Sequence, residues 1–173
     1  FHIKDSIGRE WQCGTIQLDM NLPERFDLTY VDQNGEKVRP VMLHRVIFGS
    51  IERFIGILIE HFAGAFPVWL APTQVKVIPV KNEYHLDYSK EIFDLLEQNG
   101  IRVEMDAREE KLGYRIREAQ MKKIPYQLVL GDKERDENTV TYRQYGQQKA
   151  TTVTKEEFVA MVLRQVENKE LTK

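Results

Sequence analysis

The chain has 173 residues, 42% of them hydrophobic and 30% charged, with a net charge of -2 at pH 7. That length holds one large or two small domains with a real core, and the near-neutral balance excludes a generally basic nucleic-acid coat while leaving room for a local basic face. The single cysteine, Cys13, excludes an internal disulfide and points to a reducing compartment, the cytoplasm.

The longest run without Asp, Glu, Lys or Arg covers residues 61–75 and holds two prolines. A membrane helix needs about 20 residues, so no membrane span is expected. No signal peptide is expected from the opening residues. The chain opens on Phe1 and enters at once a strand-like FHIKD, which reads as a piece of a longer protein.

In chain order, FHIKD and WQCGTIQLDM are the first strand candidates, split by a turn near residues 6–9. LTYV and KVRPVML flank Asp32-Gln-Asn-Gly35, where Asn-Gly is a strong hairpin signal. A helix starts near Ser50, a suitable N-cap. Its residues Phe54, Ile55, Ile57, Leu58 and Ile59 make it apolar on nearly every face, which predicts a buried helix. Arg53 in its first turn then needs an anion, because a buried unpaired guanidinium costs several kcal/mol. Pro67 and Pro72 bracket an extended connection and the best domain boundary.

Beyond it the pattern alternates. VKVIPV (75–80) is a compact apolar strand. Tyr88, Ile92, Leu95 and Leu96 sit at helical spacing before Gly100, a natural left-handed stop. IRVEMDA, the amphipathic EKLGYRIREAQMKK and YQLVLGD follow as strand, helix and strand. TVTYRQYG and KATTVT read as a polar hairpin around Gly146. A last helix puts Phe158, Met161, Val162 and Val166 on one face. A β-α-β-α-β order implies parallel strands with right-handed crossovers. The class is α/β, α+β overall: an antiparallel part over residues 1–70, then a βαβαβ domain with a mixed sheet over 71–173.

The chemistry gathers at Arg53. A Gly49-Ser50 turn opens its helix, and helix N-terminal amides bind anions. Arg53 adds a forked cation, so a phosphate fits there. The alternative is an ion pair with Glu52 or Glu60. A lone histidine such as His44 is most often structural. Gln12 and Gln17, five apart in one strand, face opposite sides unless a bulge at Gly14 turns them together; otherwise they are a polar strand edge. From Arg108 to Lys149 ten Lys/Arg face seven Asp/Glu, interleaved with Tyr114, Tyr126, Tyr142 and Tyr145. That excess is a weak footprint for RNA, and a solvated mixed face accounts for it equally well.

WQCGTIQLDMNLPERF, PVMLHR and GSIERFIGILIEH, in that order, resemble the third signature motif of class II aminoacyl-tRNA synthetases and its surroundings. More narrowly they resemble the threonyl branch, where serine stands at the position of Ser50. DAREEKLGYRIRE and PYQLVLGDKE are similar to the anticodon-binding domain of class IIa enzymes. The resemblance runs over the whole chain, as the end of a catalytic domain (1–70) and an anticodon-binding domain (71–173).

It implies a threonine–tRNA ligase that uses ATP with Mg, works as a homodimer, and binds threonine and its tRNA. Arg53 would lie along the ATP triphosphate, with Glu52 orienting it or standing as a surface acid. Gln12, Thr15 and Gln17 would line the adenylate pocket, Gln17 nearer the amino acid, with Ser50 beside the threonine. His44 would be one of three protein ligands to a zinc that grips the substrate's amino group and hydroxyl, which valine cannot complete. The other two ligands would lie before Phe1; His2 and Cys13 do not stand at ligand positions.

The resemblance makes Glu134 and Arg143 readers of an anticodon ending in G-U. It puts Glu109 at a third reading position, where asparagine is expected. Lys111 and Arg117 become phosphate contacts or else plain exposed charges. The piece alone should not aminoacylate. A noncatalytic RNA-binding paralogue is the alternative, and the retention of His44 and Arg53 argues against it. A prolyl or glycyl ligase is a third reading, opposed by His44 and GTIQLD.

Overall fold

The computed structural model describes residues 1–171. Its contacts divide the chain into two compact units, Phe1–Gly64 and a second from Ala65 onward.

The first unit is three small antiparallel ribbons and two helices. β1 (His2–Lys4) pairs with β2 (Glu10–Gln12), β3 (Thr15–Asp19) with β6 (Met42–Val46), and β4 (Tyr30–Val31) with β5 (Lys37–Val38) across the Asn-Gly turn. WQCGTIQLDM is thus two strands in two sheets, parted at Cys13-Gly14. Gly14 is dictated by crowding, since a Cβ there would meet the Phe1 ring and the Ile47 carbonyl at 3.0 and 3.1 Å. α1 (Asn21–Arg25) begins where the Asp19 carboxylate receives the N–H groups of Asn21 and Leu22.

α2 (Ile51–His61) forms where the sequence places it, with Ser50 as N-cap. It is not buried. Among its residues Ile57 is buried, while Ile51, Ile55 and Ile59 are largely exposed. Two-stranded ribbons offer too little surface to cover a helix that is apolar on several faces. The helix is held instead by an ion pair and a ring stack. Arg9 bonds the Glu60 carboxylate at 2.9 and 3.1 Å, and Phe54 stacks on Phe48 at 4.4 Å.

The second unit carries the core. β7 (Val75–Pro79), α3 (Asn82–Gln98), β8 (Val103–Met105), α4 (Leu112–Met121) and β9 (Tyr126–Leu130) form the expected parallel crossovers. α5 (Asp132–Glu137) then leads to the hairpin β10 (Thr139–Gln144) and β11 (Ala150–Thr154), and α6 (Lys155–Glu167) closes the unit behind a Thr154–Glu157 capping box. The sheet order is β11-β10-β9-β7-β8, parallel at β8-β7-β9 and antiparallel beyond.

Val75, Val77, Leu128 and Leu130 pack with Tyr88, Ile92 and Leu96 of α3 and Phe158 and Val162 of α6. Ile78 packs with Ala119 of α4 and with Ile124. The hairpin is polar on one face alone. Val140 is fully buried, and Tyr142 and Tyr126 meet Phe158 at ring distances of 5.3 and 5.6 Å. Among the described residues no helix is long and apolar enough to cross a membrane.

Phe158→Ala removes the ring at the centre of this aromatic cluster. It should cost about 3–5 kcal/mol, read as lost hydrogen-exchange protection at the Leu128 and Leu130 amides. Ile16→Ala, at a site 62% exposed, should leave stability within about 0.5 kcal/mol.

Candidate functional site

Two clusters collect the residues singled out above, one in each unit.

In the first unit, the β3–β6 register sets Gln17 opposite His44 and Thr15 opposite Val46. Alternation puts Thr15, Gln17 and Asp19 on the face that carries His44. The other face carries Ile16, Leu18 and Leu43, each at least 60% exposed. His44 Nε2 lies 2.7 Å from Asp19 Oδ2. Asp19 also accepts from the Leu22 and Asn21 N–H groups, and the Leu22 bond first, then His44, holds its carboxyl below the usual range. A carboxylate only accepts, so the neutral imidazole carries its hydrogen on Nε2 and keeps its lone pair on Nδ1. Gln17, Leu18, Asp19, Asn21, Leu22, Arg25 and His44 line an open depression of about 570 Å³.

The Cys13–Gly14 step runs against the loop that opens α2. Gly49 adopts φ +69°, and a Cβ there would stand 3.0 Å from the Cys13 carbonyl and 3.6 Å from that of Gln12. The two stretches that carry the motif therefore meet backbone to backbone. Ser50 accepts from the Arg53 N–H and donates its hydroxyl to Glu52 at 2.9 Å. The Glu52 carboxyl is held low by its own backbone N–H, then by Ser50.

Arg53 is exposed and pairs with neither Glu52 nor Glu60; its guanidinium lies over the Trp11 ring at 5.4 Å. Trp11 is fixed in turn by the enclosed Asp5, which accepts from its indole N–H at 2.8 Å and from Arg9. Asp5 is held far below the usual carboxylate range against its own desolvation, by Trp11, then Arg9 and nearby amides. Asp19 and Trp11 carried no signal in the sequence beyond standing beside Gln17 and Gln12. No group of three or more metal-ligating side chains occurs among the described residues, so His44 offers one imidazole nitrogen and no more.

In the second unit Glu109 and Glu134 lie past the carboxyl ends of β8 and β9, where open α/β sheets place their binding crevices, while Arg143 stands toward the amino end of β9. Glu134 sits in the first turn of α5. Its Oε2 accepts from the Gly131 N–H at 2.9 Å and its Oε1 from the Thr141 hydroxyl at 2.6 Å. Arg143 lies two residues further along β10, so on the same sheet face as Thr141, opposite Gln127 and Ala150. α5 is tied to α3 by His85 Nε2 on Asp132 at 3.2 Å.

Glu109 is exposed in the β8–α4 loop. The residue before it anchors that loop: Arg108 donates to Asp106 at 2.9 and 2.6 Å and to Glu118 at 2.7 Å. These bonds raise Arg108 and hold Asp106 below its ordinary 3.8. Lys111 precedes α4, and Arg117 projects from it; both are exposed. Arg117 shares a shallow depression with Met121 and the hairpin residues Tyr145 and Gln147. Tyr126 and Tyr142 belong to the core and Tyr145 is half-buried, which leaves Tyr114 as the exposed aromatic of the four. Arg115, unremarked in sequence, is buried and donates to the Asp106 carbonyl at 2.8 Å, pinning the end of β8.

Residues 1–62 match the model of the tRNA synthetase class II core domain (G, H, P, S and T), and residues 74–165 match that of the anticodon binding domain. The chain is 60% identical to a threonine–tRNA ligase of Clostridium novyi over 98% of its length, covering 26% of that protein. It is 59% identical to the one of Clostridium tetani with the same shares. It superposes on the crystal structure of the RNA binding domain of threonyl-tRNA synthetase from Cryptosporidium parvum with a TM-score of 0.80 at 34% identity, covering 94% of this chain and 41% of that one. The chain thus spans about a quarter of the length of the curated relatives it matches.

A carboxyl depressed in the folded state stabilises above its unfolded pKa and stops doing so as pH falls through the folded value. Asp106→Asn should therefore be less stable than the wild type at pH 7. The gap in thermal midpoint should narrow as pH drops below about 3.8. A gap constant from pH 7 to pH 2.5 would remove the Asp106–Arg108 pair as its cause.

Proposed function

This chain belongs to the anticodon-binding-domain family and carries before that domain the end of a class II synthetase core, the arrangement of the threonyl-tRNA synthetases; from that premise we propose that it is the tRNA-reading end of a threonine–tRNA ligase. The observation that carries the proposal is Glu134. Its carboxylate is anchored through one lone pair on each oxygen, one of them by Thr141, whose strand face also carries Arg143.

A carboxylate offers about four acceptor positions. Two are taken inside the protein, and two remain for a base. Guanine presents N1–H and N2–H₂ donors on its Watson–Crick edge, the edge that splayed-out single-stranded bases expose. Arg143 suits the neighbouring base or a phosphate. Glu109, in the loop that follows the parallel strand β8, is proposed as a further contact. Lys111 and Arg117 are proposed as phosphate contacts that add affinity without selectivity.

For the first unit we propose a share in the adenylate site. Attack of the threonine carboxylate on the α-phosphate of ATP, which breaks the bond to the β-phosphate and releases pyrophosphate, builds charge that a positioned arginine stabilises, and Mg would neutralise phosphate charge. Arg53 would supply it, held by the Trp11 ring, with Glu52 fixed on Ser50 at the mouth of the helix. Gln12 and Thr15 would face the nucleotide, and Gln17 and Ser50 the amino acid. A zinc ion would supply Lewis acidity toward the substrate's amino group and hydroxyl. His44 fits as one ligand through Nδ1, its ring set by Asp19, and the remaining ligands lie outside the described residues. The homodimeric, cytoplasmic enzyme belongs to the same proposal. Residues 1–70 are the core end, and 71–173 the reading domain.

Anticodon stem-loops ending in G-U should bind more tightly than the same RNA with a changed middle base. Glu134→Ala should cut that discrimination by about 1–3 kcal/mol. Equal affinity of the wild type for both RNAs would reject Glu134 and Arg143 as readers. The purified chain should form no threonyl-tRNA from threonine, ATP and tRNA in a filter assay, and measurable product would overturn the division of labour drawn here.

A further inference from the structure

Glu134 stands at the end of a hydrogen-bond chain that crosses two strands. Thr141 Oγ1 lies 2.6 Å from Glu134 Oε1 and 2.8 Å from Thr152 Oγ1. Thr141 and Thr152 face each other directly across the β10–β11 ladder. An ionised glutamate has no hydrogen to give, so the one hydroxyl hydrogen of Thr141 goes to it. The contact with Thr152 must then run the other way, with Thr152 donating to Thr141. Valence alone fixes the direction: Thr152 to Thr141 to Glu134. Such a chain polarises each member in turn, which strengthens the last bond.

The other carboxylate oxygen is closed in as well. Gly131 donates its N–H to Oε2, and a Cβ at Gly131 would stand 3.4 Å from that oxygen and 3.3 Å from the Val80 side chain. The terminal torsion of glutamate is broad and has no sharp rotamer of its own. The two donors therefore decide where the free lone pairs of the carboxylate point.

We propose that Thr141, with Thr152 behind it, is a positioning residue that sets base specificity by holding the Glu134 carboxylate in one orientation. The inference rests on the reading of Glu134 as the guanine acceptor. Once each oxygen has given one lone pair to the protein, one remains on each, side by side. That pair meets the N1–H and N2–H₂ donors of guanine. Adenine places an acceptor at N1 and is rejected because two acceptors then face each other, the kind of mismatch on which hydrogen-bonding sites discriminate most strongly. Without the Thr141 hydroxyl the carboxylate can turn, so selectivity falls further than total affinity.

The test titrates the 173-residue chain with anticodon stem-loop RNAs carrying guanine or adenine at the middle position. Thr141→Val exchanges the hydroxyl for a methyl of nearly the same shape, in a strand that accepts β-branched residues. The guanine-over-adenine ratio of Kd values should fall about tenfold in T141V, stay near wild type in T141S, and fall less in T152V. E134Q should lose the ratio as well. A ratio retained in T141V but lost in E134Q overturns the proposal and leaves Glu134 as the reader. A ratio unchanged in E134Q overturns both. If T141V melts earlier than wild type, T141A against T141S decides in its place: both shrink the side chain, and one of them keeps the donor. A merely structural Thr141 would lower the thermal midpoint and leave the ratio alone.

Discussion

A strand covered on both faces obliges the chain to supply a layer for each, and β7 imposes that obligation on the second unit. Val75, Val77 and Ile78 are fully buried although they point to opposite sides. One side takes α3 and α6, the other α4. Covering both faces in one connected path requires the crossovers β7-α3-β8 and β8-α4-β9, which run the three strands parallel. Their carboxyl ends then open at one edge, and the β8–α4 loop with Glu109 and the first turn of α5 with Glu134 both fall there. The place of Glu109 and Glu134 follows from how the core is buried.

Acceptor carboxylates recur as the fixings of otherwise irregular segments. Asp5 gathers the turn between β1 and β2 and the Trp11 indole. Asp19 starts α1 and orients His44. Asp106 holds Arg108 in the loop that bears Glu109, and Glu134 closes the first turn of α5. In each case the charge is satisfied by two or more donors, which is what lets it sit partly away from water. The side effect is stiffness at the candidate sites, since loops so tied have few alternative conformations to lose on binding.

The two units are held by different means. The second is an apolar core with aromatic contacts around Phe158. The first has little core: Cys13, Pro23 and Ile57 are its buried apolar side chains, while the apolar face of β3–β6 is exposed. Trp11, with both Arg9 and Arg53 within 5.6 Å of its ring, does there what a core would do elsewhere. Arg53 is thereby stationed without an ion pair among the described residues, and its charge stays available for an anion.

The amino-acid sequence by itself determined the order of elements in the second unit. Helical spacing at Tyr88, Ile92 and Leu96, the left-handed Gly100 and the apolar run at 75–80 are local signals, and local geometry obeyed them. The sequence also determined the resemblance, because the order of short motifs survives without any knowledge of contacts. Tertiary structure alone decided the rest. An apolar helix is buried when something is there to cover it, so α2 stayed exposed despite Phe54, Ile55 and Ile59. A tyrosine among arginines reads the same on a surface as in a core until the sheet register turns Tyr142 inward and Arg143 outward. The bond from Thr141 to Glu134 joins a strand to the helix before it, 7 residues away, and that from His44 to Asp19 joins residues 25 apart on paired strands; no periodicity announces contacts made by tertiary packing.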